Sequence, residues 1–106
     1  MRFTVYLKSR GNPDLGQDPD RELPGVPDRT YVCRSIASAA LACREWIAYH
    51  QLGGGNWVGG QVLDGAGREV ARVAYNGRVW APDGAEILVV FDGENWVATK
   101  KRVRVR

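Results

Sequence analysis

The sequence has few of the residues from which catalytic and metal sites are most often built. Among 106 residues there is one histidine, His50, and there are two cysteines, Cys33 and Cys43. The cysteines form neither a CxxC pair nor a zinc-ligand array. We therefore expect no metal and no cofactor, and we interpret both cysteines as buried thiols, not as a disulfide.

Long apolar runs are missing as well. No stretch is long enough to cross a bilayer, and charged residues interrupt the start, MRFTVYLKSRGNPD, which therefore lacks a signal-peptide layout. These absences predict a cytoplasmic protein that does not bind a membrane. The length, with 44% hydrophobic residues and four tryptophans, predicts a single domain over 1–106 with one core. The oligomeric state is not indicated.

Acidic residues are absent from the C-terminus, and this explains the net charge of +3. The last seven residues, KKRVRVR, carry five cations, which leaves 10 basic against 12 acidic residues in the remaining chain (15 − 5 = 10). The basic character therefore belongs to a tail, 100–106, and not to a domain-wide patch of the kind that marks a dedicated DNA-binding protein.

Hydrophobic periodicity predicts an α+β fold. Residues 2–8 alternate as a half-buried strand, and 10–30 form a long loop rich in proline and aspartate. Tyr31 to Cys33 fit either a short strand or the approach to a helix. The helix is predicted over 35–51, with Ser35 as its N-cap and Gly53 at its left-handed C-terminal cap. Antiparallel strands then follow over 57–105, so we expect a meander sheet of about five to six strands with the helix packed on one face.

The Asn76-Gly77 pair predicts a hairpin with a two-residue type I′ turn. Such a turn places Val73 opposite Trp80 and puts Val73, Tyr75 and Trp80 on the side of the sheet that faces the helix.

The segment 53–60 holds five glycines and raises the question of a phosphate-binding loop. Phosphate loops lie between a strand and the start of a helix, where backbone N–H groups point at the anion. Here the helix comes first and a strand follows, so carbonyl groups would face the ligand. We interpret this segment as a helix stop and turn, and Gly59-Gly60 as a bulge or a point of close packing.

No set of residues has the pattern of a catalytic site. His50 could act as a base for Cys33 or Cys43, but both cysteines are predicted on or near the buried stripe. The acidic pairs of the C-terminal half fall in turns, where aspartate is common for local hydrogen bonding. We expect a protein that is not an enzyme.

The basic tail is the second candidate feature. As a strand, it would present cations about 6.6 Å apart on one face, a spacing suited to successive phosphates, with a tryptophan able to stack on a base. The alternative is that charges on an edge strand prevent aggregation. The candidate nucleic-acid-binding residues are Trp96, Lys100, Lys101, Arg102, Arg104 and Arg106.

The run LGGGNWVGGQVLDGAGREVARVAYNGRVW, residues 52–80, with the helix before it, resembles small uncharacterised proteins carried on proteobacterial plasmids and prophages. The resemblance covers about half of the chain and includes no catalytic motif. It implies an accessory-genome protein. Small proteins of such elements often bind host machinery, as anti-defence inhibitors such as anti-CRISPRs do.

These observations give two hypotheses. In the first, the chain is a non-enzymatic binding module whose partner is a host protein, contacted through exposed aromatic residues on the sheet or near the long loop; the candidates are Tyr31, Trp57 and Trp96. In the second, it binds nucleic acid through the C-terminal strand.

Overall fold

The computed structural model describes residues 2–91 and 96–100, without the side chains of Phe91, Trp96, Thr99 and Lys100. Within these residues one α-helix and seven β-strands follow one another as β1 (Phe3–Leu7), β2 (Arg29–Cys33), α1 (Ile36–Tyr49), β3 (Gln61–Leu63), β4 (Glu69–Val73), β5 (Val79–Trp80), β6 (Glu86–Phe91) and β7 (Trp96–Lys100).

The strands form one antiparallel sheet in the order β2-β1-β3-β4-β5-β6-β7. Helix α1 contacts β1 and β4 and also both outermost strands, β2 and β7, so the sheet curls around the helix. The α+β prediction is confirmed, but the sheet has seven strands and not five to six. The undecided segment before the helix supplies the extra strand, β2.

The core lies between α1 and the concave face of the sheet. Strand β1 alternates between buried and half-buried residues, and its three buried side chains face the helix. The main cluster consists of Phe3, Val5, Leu7, Cys33, Ala39, Ala40, Cys43, Val62, Ala71, Val73, Val79 and Ile87. Four of these twelve are alanine or cysteine from the helix or β4, which lets the helix approach the sheet closely.

Helix α1 begins where the sequence predicts and ends differently. The Ser35 hydroxyl accepts a hydrogen bond from the Ser38 amide at 3.0 Å, as expected of an N-cap. At the other end Gln51, and not Gly53, takes the left-handed conformation, with φ of 53°. The Leu52 amide then donates to the Ile47 carbonyl at 3.0 Å, and the two side chains pack with Val26. This is a Schellman motif with glutamine in the position that glycine usually occupies.

The hairpin at Asn76-Gly77 forms, but its predicted register is wrong. The loop has three residues, because the Ala74 amide donates to the Arg78 carbonyl at 2.8 Å and Gly77 alone takes a positive φ, of 88°. Val73 consequently faces Val79, and both are buried.

The extra loop residue shifts the pairing by one position and exchanges the two faces of the returning strand. Trp80, predicted under the helix, is therefore 37% exposed on the convex face, with the guanidinium of Arg78 over its ring. Tyr75 is 45% exposed, and its hydroxyl donates to the Leu52 carbonyl.

The predicted close packing at Gly59-Gly60 is confirmed. A Cβ atom on Gly59 would lie 2.6 Å from both the Lys8 nitrogen and the Tyr6 oxygen of β1. Gly60 has a φ of 98°, and a Cβ atom there would overlap the carbonyl of Val73 in β4. The backbone thus passes between β1 and β4 where no side chain fits.

The segment between β1 and β2 is an ordered surface loop that contains a short 3-10 helix, Pro13–Leu15. Arg10 and Asp28 close its base with an ion pair of 2.9 Å. Val26 is buried against the C-terminal end of α1. The loop therefore covers that end of the helix, and it delivers the chain to β2 at the edge of the sheet.

Candidate protein-binding groove

Strand β2 presents backbone hydrogen-bonding groups on its open side. Tyr6 of β1 lies opposite Thr30, and its carbonyl accepts a hydrogen bond from the Gly60 amide at 2.7 Å, so the backbone groups of Tyr6 point away from β2. Bonding direction alternates along an antiparallel pair. Tyr31 therefore pairs with β1, whereas Thr30 and Val32 direct their N–H and C=O groups toward the open edge.

A groove runs between this edge strand and α1. The helix contributes a second stripe beside its buried one, at the spacing of three and four residues that places side chains on one face. The groove has a volume of about 530 Å³ and is lined by Leu7, Tyr31, Ser38, Leu41, Ala42, Glu45, Trp46 and Tyr49. Its volume falls in the range of ordinary ligand pockets.

Aromatic rings connect the groove with the core. Tyr49, 82% exposed, stacks edge-on against His50 with ring centroids 4.9 Å apart. His50 meets Trp46 at 4.8 Å, and Trp46 meets Trp57 at 5.9 Å. The Trp46 ring, packed against Trp57, gives the groove a floor that is formed before any partner arrives, and a preformed floor lowers the entropy lost on binding.

Tyr31 is the one predicted partner-binding residue that the structure places in this groove. It lies at the centre of β2, and 47% of its surface is exposed. Trp57 instead packs between the main cluster and a smaller one formed by Val26, Ile47 and Leu52. Its indole N–H donates to the Val73 carbonyl at 3.0 Å. Its role in the described structure is packing.

The remaining predicted residues cannot be assigned a place around the groove. The backbones of Trp96 and Lys100 belong to β7, but their side chains lie outside the described residues. The cations of the tail, Lys101, Arg102, Arg104 and Arg106, also lie outside the described residues.

The arginines around the two ends of β2, other than Arg10, have no ion-pair partner among the described residues. Arg10, Arg21, Arg68, Arg72 and Arg78 each form an ion pair. By contrast, Arg2, Arg29 and Arg34 form none with the described part of the chain. Arg2 and Arg34 line a depression of about 590 Å³ together with Val32 and Cys33. Both ends of the open edge therefore carry arginines that have no ion-pair partner among the described residues.

The glycine segment has the order that excludes a phosphate loop. Helix α1 ends at Tyr49, the glycines follow, and β3 begins at Gln61. The amide of Gly53 donates to the side-chain oxygen of Asn56, and the Asn56 amide donates back to the Gly53 carbonyl. These donors are occupied by the turn itself.

The thiols are poorly suited to nucleophilic chemistry. Burial raises the pKa of Cys33, and it raises the pKa of Cys43 to about 12, with the nearby Cys33 adding to the effect. A thiolate is the reactive form, so both groups are held in the inert form at neutral pH. His50 is engaged with the rings of Trp46 and Tyr49.

Sequence reasoning missed the helix side of the groove and the arginines around β2. The signal was present in the helix, where Ser38, Leu41, Ala42, Glu45 and Tyr49 recur at helical spacing beside the main stripe. The groove was not predicted, because the segment that forms its opposite wall was left undecided between a strand and the approach to the helix.

Within the described residues no helix is long and apolar enough to span a membrane, and no three or more His, Cys, Asp or Glu side chains are grouped as a metal site would require. Comparison of the chain with family models, curated proteins and solved structures finds no match.

Proposed function

We propose that the protein is a binding module that holds an extended segment of a partner protein along β2. The segment adds to the sheet as a further strand and places one large apolar side chain in the groove beside α1. The observation that carries this proposal is the coincidence of two features at one place. One is an edge strand whose outward backbone groups pair with none of the described residues, and the other is an aromatic groove directly alongside it. Strand addition uses these two components, with backbone bonds for affinity and side-chain pockets for specificity.

The alternation of side chains makes the two features act together. In an added strand, the residue opposite Tyr31 points to the same face as Tyr31, toward α1. That residue enters the groove while its neighbours use the N–H and C=O groups of Thr30 and Val32. A phenylalanine side chain that is fully enclosed buries about 150 Å² or more, so partial enclosure in the groove still removes a large apolar area from water.

Selection of random extended peptides displayed on phage, with the folded chain as bait, provides a ligand with which to test the proposal. Backbone pairing is then tested by amide hydrogen exchange. The amides of Thr30 and Val32 should exchange quickly in the free protein and slowly with the peptide bound, whereas the Tyr31 amide should be slow in both states. Unchanged exchange at Thr30 and Val32 would refute strand addition.

Two variants separate the edge from the groove. T30P removes one outward N–H and leaves the pairing with β1, since proline is tolerated where the N–H faces solvent; Y31A empties one side of the groove. Each variant should bind the selected peptide about tenfold more weakly, because it loses one hydrogen bond or one aromatic contact. W80A is the matched control, because Trp80 is a comparably exposed aromatic on the convex face. Equal loss in W80A would indicate a different surface.

The composition of the tail supports a second proposal, nucleic-acid binding through residues 100–106. Residues 100–106, which begin with the last residue of β7, contain five arginine or lysine residues in seven positions. An electrophoretic shift of single-stranded DNA is measured with the full chain and with a chain truncated after Thr99, and the salt-dependent complex should be lost on truncation. A complex indifferent to salt or to the truncation would refute this second proposal.

Because the chain resembles proteins of plasmids and prophages, we propose that the partner segment belongs to a host protein, which could be the target of an anti-defence inhibitor. The peptide sequences selected on phage would direct that search.

A further inference from the structure

The charges around β2 select among the segments that the groove could hold. Arg29 begins the strand and Arg34 directly follows it. Continuing the register of the β1–β2 pair places Arg2 opposite Arg34. Like charges directly opposite one another across a strand pair are destabilising. Arg2 and Arg34 line one depression and form no ion pair with a described acid, so an anionic ligand there would meet two unpaired cations.

The groove itself has a different character. Its lining is mainly apolar and aromatic, and its charged member is an acid, Glu45. A carboxylate that pointed into the groove would be repelled by Glu45. The centre of the site therefore favours an apolar side chain, and the two ends of β2 favour negative charge.

We propose that the partner segment is acidic at both ends of the site and apolar at its centre. This inference rests on the proposed function. In a segment added antiparallel to β2, one residue lies opposite Arg34, the third after it lies opposite Tyr31, and the fifth lies opposite Arg29. The segment then reads carboxylate-x-x-apolar-x-carboxylate, and its two carboxylates stand about 17 Å apart along the strand.

The face on which each side chain lies agrees with this pattern. Arg29 shares the concave face with Tyr31. Arg34 and Arg2 lie one residue beyond the paired positions and border one depression with Val32, and continuing the alternation of the two strands places them on the convex face. The first carboxylate of the segment is therefore on the convex face, between Arg34 and Arg2. The apolar residue and the second carboxylate are on the concave face, toward α1.

Two other occupants fit the surface less well. A second copy of this chain paired edge to edge through β2 would bring the arginines of both copies together, which disfavours a symmetric dimer. A nucleic acid would satisfy the arginines, but it offers no alternation of donors and acceptors to match the backbone of Thr30 and Val32. An acidic peptide satisfies the charges and the backbone together.

Synthetic peptides with free backbones and capped ends test the pattern. The probe carries Glu-Thr-Thr-Phe-Thr-Glu between threonine flanks, and a matched control replaces both glutamates with lysine. At low salt the glutamate peptide should bind about tenfold more tightly than the lysine peptide, because two exposed pairs change from attraction to repulsion. The ratio should fall as salt is raised, since these pairs are exposed to solvent.

The variant R29E/R34E supplies the decisive comparison. It should reverse the preference, so that the lysine peptide binds more tightly, while Y31A should weaken both peptides alike. Circular dichroism and urea unfolding establish that each variant is folded. If the double variant is unfolded, R29Q and R34Q serve in its place and should abolish the preference.

The outcomes separate this inference from the function on which it rests. Equal binding of both peptides by the wild type, with protection of Thr30 and Val32, would overturn the acidic pattern and leave strand addition in place. No binding of either peptide would overturn the pattern, while the phage selection still tests strand addition. In another outcome the glutamine variants self-associate while the wild type binds the glutamate and lysine peptides equally. That result would show that the arginines protect the edge against aggregation, and it would overturn the acidic pattern. The inference would also be refuted by one further result. In that result a single-stranded oligonucleotide displaces the glutamate peptide, and the double variant binds both peptides as the wild type does.

Discussion

Replacing Gly60 by alanine should disrupt the point at which β1, β3 and β4 meet. The Gly60 amide donates to the Tyr6 carbonyl at 2.7 Å, and the Gly60 carbonyl accepts from the Val73 amide at 2.9 Å. An alanine Cβ would occupy the space of the Val73 carbonyl, at a φ of 98°. The strained conformation contributes about 1–2 kcal/mol, and the displacement of two backbone hydrogen bonds about 1 kcal/mol each. We expect the free energy of unfolding to fall by about 3 kcal/mol, a large share of the stability of a small domain.

The measurement is urea unfolding followed by tryptophan fluorescence, with G65A as control. Gly65 has open space around the position of a Cβ atom and no positive φ, so alanine there should change stability by about +0.5 kcal/mol through the unfolded state. With an m-value of about 1.5 kcal/mol per M, G60A should lower the midpoint by roughly 2 M. A free energy of unfolding for G60A within about 0.5 kcal/mol of that for G65A would show that the backbone relaxes freely here and would refute the packing argument.

Three further predictions concern the helix end, the indole and the thiols. Q51G should stabilise the protein by about 0.5–1 kcal/mol in the same unfolding assay, because glycine adopts the left-handed conformation without a Cβ penalty; a loss of stability would contradict the assignment of the Schellman motif. W57F should lower stability by about 1–3 kcal/mol by leaving the Val73 carbonyl unsatisfied, and an unchanged midpoint would show that this hydrogen bond is not formed. Burial raises the pKa of the Cys43 thiol from its ordinary value of about 9 to about 12, so the folded state binds more protons than the unfolded state between those values, and stability should fall as pH rises above about 9. C43A should reduce that alkaline slope, and an identical slope in C43A would contradict the assigned burial of the thiol.

The elements that the sequence predicted correctly are those with a long, repeated pattern. Helix α1 has four turns of consistent spacing and a serine cap, so local rules sufficed. The alternation in β1 also needed no tertiary information. The order of helix, glycines and strand was enough to reject a phosphate loop, because that argument depends only on sequence order.

The errors arose where one residue decides the geometry. A loop of three residues and a loop of two residues are both compatible with Asn76-Gly77, and the difference exchanged the faces of Trp80 and Val79. Gln51 adopts a left-handed conformation that its residue type does not favour, since the contact of Leu52 with Ile47 stabilises that turn. Local preference was overridden by packing in this case.

The candidate site could be predicted only in part, because it depends on a pairing between distant segments. Tyr31 was chosen as an aromatic residue able to be exposed, and it lies in the groove. The open edge and the basic residues beside it follow from the pairing of β2 with β1, which no local pattern in 29–33 specifies. Strands this short pair according to the tertiary fold rather than intrinsic propensity.

The position of β1 between β2 and β3 has a consequence for the order in which the protein folds. Thr4 meets Val32 on one side but Leu63 on the other, so the second partner is not synthesised until more than half of the chain has emerged. The segments β1, β2 and α1 are contiguous and bury one another first, while the hairpins from β3 onward close locally. Joining these two halves along the β1–β3 seam closes the longest loop in the sheet, and this step should limit the folding rate.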